Sequence, residues 1–176
     1  MQLLPLLLSC ALGLKKSPKS IQELVSWVYP ENTPNFVKLP GPAEMGIANN
    51  DTALFKISNL SISPYPLRPG ILNFEYLHEI IADIPAGTKM KVDAFVDGHK
   101  YYSGEIDICT YLPFARVNCP ILAYNAGALT NSTKLQMPDN GYDNRFAFVA
   151  KAVTPDNQIV LHAAVILDTT ERHDEL

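Results

Sequence analysis

The chain has 176 residues, 18% of them charged, and its formal net charge is −4 at pH 7. This length suits one domain with short extensions and is enough to bury a sizeable core. The lysines and arginines form no basic stripe, so the charge pattern gives no support to nucleic-acid binding. Fourteen prolines and many short alternating segments favour a β-rich fold over a helical bundle.

Both ends of the chain carry sequences typical of secretory-pathway addresses. Residues 1–13 are a short apolar segment ending in small residues, which predicts a signal peptide, and a buried strand or helix is the alternative. Residues 169–176 form a charged tail that ends in the HDEL signal bound by the ER-retrieval receptor, His173, Asp174, Glu175 and Leu176. We therefore expect an ER-lumen protein. Its candidate glycosylation sites are the sequon residues Asn50, Asn59 and Asn131.

Residues 14–51 are predicted to form an extension that precedes the main domain. Ser20-Ile21-Gln22-Glu23 has the pattern of a capping box, and apolar residues follow it at helical spacing. Tyr29-Pro30 should end this short helix, and the prolines after it predict an extended linker. The segment is either a propeptide, a helix docked on the domain, a membrane-surface helix or a disordered extension, and the residues alone leave these alternatives open.

Residues 52–168 alternate between apolar and polar positions in short runs separated by turns. This pattern predicts about seven strands, at 53–63, 71–81, 90–96, 100–108, 128–137, 145–153 and 158–168. The proline-dense segment 64–70 cannot pair within a sheet, so we expect it to be a corner crossing between sheets. The predicted fold is all-β, a two-sheet antiparallel sandwich with the short N-terminal helix outside it.

Cys10 lies in the predicted signal peptide, so Cys109 and Cys119 are the two cysteines that remain after its cleavage. In an oxidising lumen this pair should form a disulfide. The loop that it closes carries large apolar residues, including Tyr111 and Phe114, although loops are usually polar. The loop is either a stapled turn that covers one end of the core or a rigid apolar lip beside a cavity.

Four short motifs follow one another in the order found in a known protein family. They are the corner at 63–70, Asp107-Ile108-Cys109, Cys119-Pro120-Ile121, and the closing strands 146–153 and 159–165. In these motifs, residues 52–168 resemble the ML family, the lipid-recognition domains of MD-2-related proteins. Within it they look most like the fungal phosphatidylglycerol/phosphatidylinositol transfer proteins and the Niemann–Pick sterol carrier. The chain departs from the family in lacking the cysteines of a second disulfide.

The resemblance implies an immunoglobulin-like sandwich that holds a lipid, either a phospholipid or a sterol, in an apolar cavity between its sheets. Such a carrier would be a monomer that touches the lumenal membrane surface transiently. The candidate wall residues are Phe74, Tyr76, Val92, Ala94, Tyr111, Phe114, Ile121, Phe146, Phe148, Ala150, Leu161 and Ala163. The alternative is an ER-lumen protein-interaction or chaperone-like sandwich with a filled core and no ligand.

The residue patterns disfavour an enzyme. The chain has neither a G-x-S-x-G nucleophile motif nor a P-loop. Its four histidines are scattered and lack the spacing of metal ligands. His78 is in phase with Phe74 and Tyr76, which predicts an inward-facing core or rim histidine. We therefore predict no catalytic residue, no metal and no cofactor.

Overall fold

The computed structural model describes residues 17–48, 52–68, 70–109, 119–137 and 145–169. Within these ranges the chain forms one helix, α1 (Ile21–Val28), and nine strands. The strands are β1 (Phe36–Lys38), β2 (Glu44–Ala48), β3 (Phe55–Ser63), β4 (Gly70–Ile80), β5 (Lys89–Val96), β6 (His99–Asp107), β7 (Tyr124–Met137), β8 (Arg145–Val153) and β9 (Ile159–Asp168). The predicted all-β fold with one short helix is confirmed.

The strands form two antiparallel sheets that face each other. The large sheet has the order β1-β2-β9-β8-β5-β6, and the small sheet has the order β3-β4-β7. The register places Val92, Ala150 and Ala163 directly opposite one another on neighbouring strands of the large sheet. Because directly opposite residues share a face, these three mark the inner face, which is turned toward the small sheet. The other side of the large sheet is its outer face.

The predicted strands lie close to those observed, but the large sheet begins earlier than the sequence suggested. β8 spans the predicted residues 145–153, whereas β7 begins at Tyr124, four residues before the predicted 128. β1 and β2 lie in the segment that was predicted to be an extended linker, and β2 pairs with β9. The connection between β1 and β2 contains Pro40 and Pro42, and prolines at this density are typical of a linker. As a domain limit, residue 52 remains a prediction.

The sequence around α1 explains why a helix forms there. The backbone N–H of Glu23 donates to Ser20 Oγ at 3.2 Å, so Ser20 is the predicted N-cap. The Glu23 carboxylate accepts from the N–H of Lys19 at 2.7 Å, one residue before the partner that a capping box predicts. The helix ends at Tyr29, whose N–H bonds to the Val25 carbonyl. No helix among the described residues has the length and apolar content needed to cross a membrane.

α1 packs on the outer face of the large sheet. Leu24 and Val25 on the helix are fully buried. The sheet residues in the same buried cluster are Phe95, Ala147, Val149, Ala164 and Ile166. Trp27 adds an edge-to-face contact with Phe95 at 5.8 Å between ring centroids. Of the alternatives that the sequence left open for this segment, the structure shows a docked helix.

Three other buried clusters hold the two sheets together. The loop-end cluster consists of Leu54, Ile80, Ile84, Ile108, Ala152 and Val160. The corner-end cluster consists of Ala43, Ile62, Leu67 and Leu72. The edge cluster consists of Leu39, Met45 and Ile57, and lies where β2 approaches β3. The described side chains therefore join the two sheets at both ends and along one edge.

Candidate functional site

The inner face of the large sheet is less completely covered than its outer face. Phe148 and Ala150 lie on the inner face of β8, and both keep part of their surface accessible. Ala147 and Val149 lie on the outer face of the same strand, and each is only 1% exposed beneath α1. Apolar side chains stay accessible where no other atoms pack against them. The inner face of β8 is therefore partly accessible, whereas its outer face is sealed by α1.

The partly accessible residues of the inner face lie outside the buried clusters that join the sheets. Among the described residues, those clusters contain none of four inner-face residues, namely Phe146, Phe148 and Ala150 of β8 and Val92 of β5. The edge cluster instead uses Leu161, Ala163 and Val165 of β9 as its partly buried partners. Among the described side chains, those on the β9 side of the inner face are thus packed against β3 and β4.

The structure brings most of the predicted wall residues to the interior, in different surroundings. Phe74 packs against the corner-end cluster, Tyr76 against the edge cluster, and Ile121 against the loop-end cluster. Ala94 is more buried than the other inner-face candidates, at 6% exposure. Tyr111 and Phe114 fall outside the described residues. As lipid-binding residues, all twelve candidates remain predictions.

Tyr102 is an inner-face residue that the sequence reasoning missed. It lies on β6 opposite Ala94, and Gly104 lies opposite Val92, so both belong to the inner face at the edge of the sheet. The Tyr102 side chain passes over Gly104, where a Cβ atom would overlap it. A glycine within a strand often marks such a close approach, and this signal was available in the sequence. Tyr102 is 44% exposed and lies on β6, the edge strand of the large sheet.

The base of the stapled loop is firmly attached to the sandwich. Cys109 and Cys119 form the predicted disulfide, with their Cα atoms 5.7 Å apart. The N–H of Cys109 donates to Asp107 Oδ1 at 2.8 Å, which gives Asp107 a structural role. Ile84 and Ile121 exchange two backbone hydrogen bonds of 2.9 Å. The two ends of the loop are therefore fixed beside the loop-end cluster, and residues 110–118 between them lie outside the described residues.

A cleft of about 330 Å³ opens at the edge where β2, β3 and β9 meet. Its apolar lining includes Ile47, Phe55, Ile57 and Leu161. This volume is at the lower end of the range usual for small-molecule sites. We call it the edge cleft. Near it, the buried His78 ring lies between the rings of Phe55 and Tyr76, at 5.0 and 5.1 Å, as an inward-facing core histidine should.

A second cleft, of about 640 Å³, lies on the outer side of the large sheet between residues 29–35 and strands β8 and β9. We call it the outer cleft. His162 lines it, is 7% exposed, and makes edge-to-face contacts with Tyr29 at 5.2 Å and Phe36 at 4.9 Å. Burial, together with the positive charge of Lys151, lowers the pKa of His162 to about 4. The imidazole is therefore neutral at pH 7.

His162 should make the stability of the protein depend on pH. In the unfolded chain its pKa is near 6.5, so acid protonates the unfolded state first. The stabilisation is complete above pH 6.5 and is lost as the pH falls toward 4. After solvent screening we expect a loss of about 1–2 kcal/mol in the free energy of unfolding. Urea denaturation at pH 7 and pH 4.5 measures it.

A matched pair of variants isolates this contribution from that of the carboxylates. His162→Phe keeps the aromatic contacts with Tyr29 and Phe36, and its stability should fall less with pH than that of the unmodified protein. His99→Gln changes an exposed histidine and should leave the pH dependence unaltered. Equal pH dependence in the His162→Phe variant and the unmodified protein would show that His162 is not buried in the neutral state.

The buried carboxylate of Asp93 has two structural partners. Asp93 is 2% exposed and accepts hydrogen bonds from Lys100 Nζ at 2.9 Å and Ser103 Oγ at 2.8 Å. Burial acts to raise the pKa of Asp93, but these bonds outweigh it and hold the pKa below its ordinary value. In the described part of the chain, no group of three His, Cys, Asp or Glu side chains is placed to hold a metal ion.

No protein-family model matches the chain, and no curated protein matches it in sequence. Three solved structures are similar in fold. The Niemann–Pick type C2 protein from the Japanese carpenter ant has a TM-score of 0.45 at 11% identity, over 69% of this chain and 97% of that one. Chicken MD-1 complexed with lipid IVa has a TM-score of 0.40 at 12% identity, over 77% of this chain and 97% of that one. The C-terminal domain of wzt has a TM-score of 0.41 at 15% identity, over 88% of this chain and 89% of that one. These values assign neither a family nor a ligand to this chain.

Proposed function

We propose that this protein binds a lipid, either a phospholipid or a sterol, with the apolar part of the lipid between the two sheets. The observation that carries the proposal is the asymmetry of β8, whose outer alanine Ala147 is sealed whereas the inner alanine Ala150 remains accessible. A filled core would cover Ala150 as completely as α1 covers Ala147. The order of the sequence motifs supports the same function.

In this proposal the ligand lies against the inner face of β5 and β8. Phe146 and Phe148 provide apolar surface, and the small side chain of Ala150 leaves room beside them. Tyr102 at the sheet edge combines an aromatic ring with a hydroxyl group, so it suits the boundary between the apolar and polar parts of a lipid. The protein acts by burying the ligand and not by catalysis, and it needs no cofactor.

Exchange of the ligand is proposed to occur at the loop end of the sandwich. Two large apolar side chains are exposed there, Leu122 at 63% and Ile81 at 46%. Exposed apolar side chains beside a cavity suit brief contact with a membrane surface. We propose the ER lumen as the compartment and a monomer as the working form, in keeping with the addresses in the sequence.

Replacing Ala150 with phenylalanine tests the lipid cavity. In the proposed cavity the new ring occupies space that the lipid needs, so lipid binding should be lost while the free energy of unfolding stays the same or rises. Native mass spectrometry of protein mixed with lipid vesicles measures bound lipid, and urea denaturation measures stability.

Ala147→Phe is the matched control on the same strand. Its ring enters the sealed contact beneath α1, where overpacking typically costs about 1–3 kcal/mol. If Ala150→Phe is destabilised to the same extent, and the unmodified protein carries no lipid, the inner face is a filled core. That outcome would favour the protein-interaction or chaperone-like sandwich instead.

A further inference from the structure

The outer cleft lies beside a row of basic side chains. Lys91, Lys151 and His162 occupy directly opposite positions on β5, β8 and β9 of the large sheet. Like charges in directly opposite positions destabilise a sheet, so the pair Lys91 and Lys151 is unfavourable in the absence of a nearby anion. The row is therefore a feature that packing alone does not explain.

The carboxylates that could neutralise this row bind elsewhere. In the described ranges the ion pairs are Lys89–Glu105, Lys100–Asp93 and Arg145–Asp168. Glu105 lies opposite Lys91 in the register, but its carboxylate binds Lys89 at 2.9 Å. Within the same part of the chain, neither Lys91 nor Lys151 has a carboxylate within ion-pair distance. The positive charge of Lys151 at the cleft is thus available to a ligand.

His162 supplies a second unused polar group. His162 lines both the outer cleft and the edge cleft and is 93% buried, and its Nε2 atom has no hydrogen-bond partner among the described residues. Leaving a buried polar atom without a partner costs free energy, and such atoms in a folded protein call for an explanation. A neutral imidazole can either donate or accept at Nε2. A ligand that reaches this atom would satisfy it.

The remaining walls indicate the shape of that ligand. Tyr29, Pro34 and Ile159 present apolar surface, and the amides of Asn32 and Asn35 lie at the rim. Glu31 also lies at the rim, where it is exposed. We infer that the outer cleft binds a small anion with an apolar body, namely an alkyl or aryl phosphate monoester or carboxylate. Lys151 and His162 hold the anionic group, while the apolar body lies against Tyr29 and Ile159.

Hexyl phosphate is a suitable soluble probe of this site. Titration followed by ¹H–¹⁵N NMR of the backbone and of the histidine rings should show saturable shifts at Tyr29, Lys151 and His162. Lys151→Met removes the charge and keeps most of the length of the side chain. It should weaken binding about ten-fold, the loss expected for one charge-assisted hydrogen bond. His162→Phe should also weaken binding, and added salt should weaken it further.

Lys134→Met is the matched control, since Lys134 is an exposed lysine on the small sheet. It should leave hexyl phosphate binding unchanged. Equal weakening by Lys134→Met, or the absence of saturable shifts near the outer cleft, would overturn the proposal.

A vesicle experiment distinguishes the two sources of such an anion. Phosphatidylcholine vesicles with phosphatidic acid present the same phosphate monoester on a lipid. If the protein binds these vesicles and Lys151→Met abolishes that binding, the ligand is a lipid headgroup. If the protein binds hexyl phosphate but not the vesicles, the ligand is a soluble anion. The site does not depend on the inter-sheet cavity, so Ala150→Phe should leave hexyl phosphate binding intact even where lipid binding is lost.

Discussion

Replacing Leu24 with alanine is expected to lower the free energy of unfolding by about 2–5 kcal/mol, the range for removing a buried leucine side chain. Leu24 is fully buried between α1 and the outer face of the large sheet, where it shares a cluster with Val149 and Ile166. Truncation leaves a cavity that neighbouring side chains fill only in part. Urea denaturation of the chain that retains the extension measures the effect.

Gln22→Ala is the control on the same helix, because Gln22 is exposed. Its side-chain amide bonds the Pro34 carbonyl and the Phe36 N–H, and loss of these exposed bonds should cost about 0.5–1.5 kcal/mol, less than Leu24→Ala. If Leu24→Ala is as stable as the unmodified protein, α1 is not docked in solution. The segment would then behave as the removable extension that the sequence also allowed.

Loss of the disulfide should be nearly as costly. The double variant Cys109→Ser/Cys119→Ser opens a short loop, since the two cysteines are 10 residues apart. The chain-entropy relation gives a loss of about 2.5–3 kcal/mol in the free energy of unfolding. Thermal or urea denaturation of the oxidised protein and the double variant measures it.

A reducing agent provides the internal control for this prediction. It should lower the stability of the unmodified protein to that of the double variant and leave the double variant unchanged. Free thiols at both positions in freshly isolated protein, found by intact-mass analysis, would contradict the prediction.

Local sequence patterns determined much of the fold. Ser20 and Glu23 marked the start of α1 because capping depends on residues three positions apart. Strand β8 was predictable because it is a short apolar run that ends at the Thr154-Pro155 turn. Both signals lie within a few neighbouring residues, so they can be seen in the sequence alone.

Features that depend on distant residues were not predictable in this way. β9 is apolar on both faces, so its pattern could not show which face α1 would cover. β1 and β2 are short and flank Pro40 and Pro42, and they become strands because β9 supplies a partner for β2. The basic row across β5, β8 and β9 depends on strand register, which local pattern does not fix.

The candidate site was likewise predictable only where it depends on local sequence. Alternation placed Phe148 and Ala150 on one face, and the structure agrees. Whether that face is filled or accessible depends on what the other sheet brings to it, which alternation does not encode. Tyr102 was missed because its role comes from the position of β6 at the edge of the large sheet. The partner of a strand thus carries information that its own residues lack.

The pairing of β2 with β9 bears on when the protein can fold during its synthesis. Glu44 lies opposite Ile166, so the large sheet joins residues that are more than a hundred positions apart in the chain. A ribosome makes the chain from its N-terminus, and β2 has no β9 to pair with until the last strand has emerged. α1 likewise lacks most of its docking surface until β8 and β9 exist. The apolar residues of α1, β1 and β2 must therefore be kept from aggregating until β9 has been synthesised.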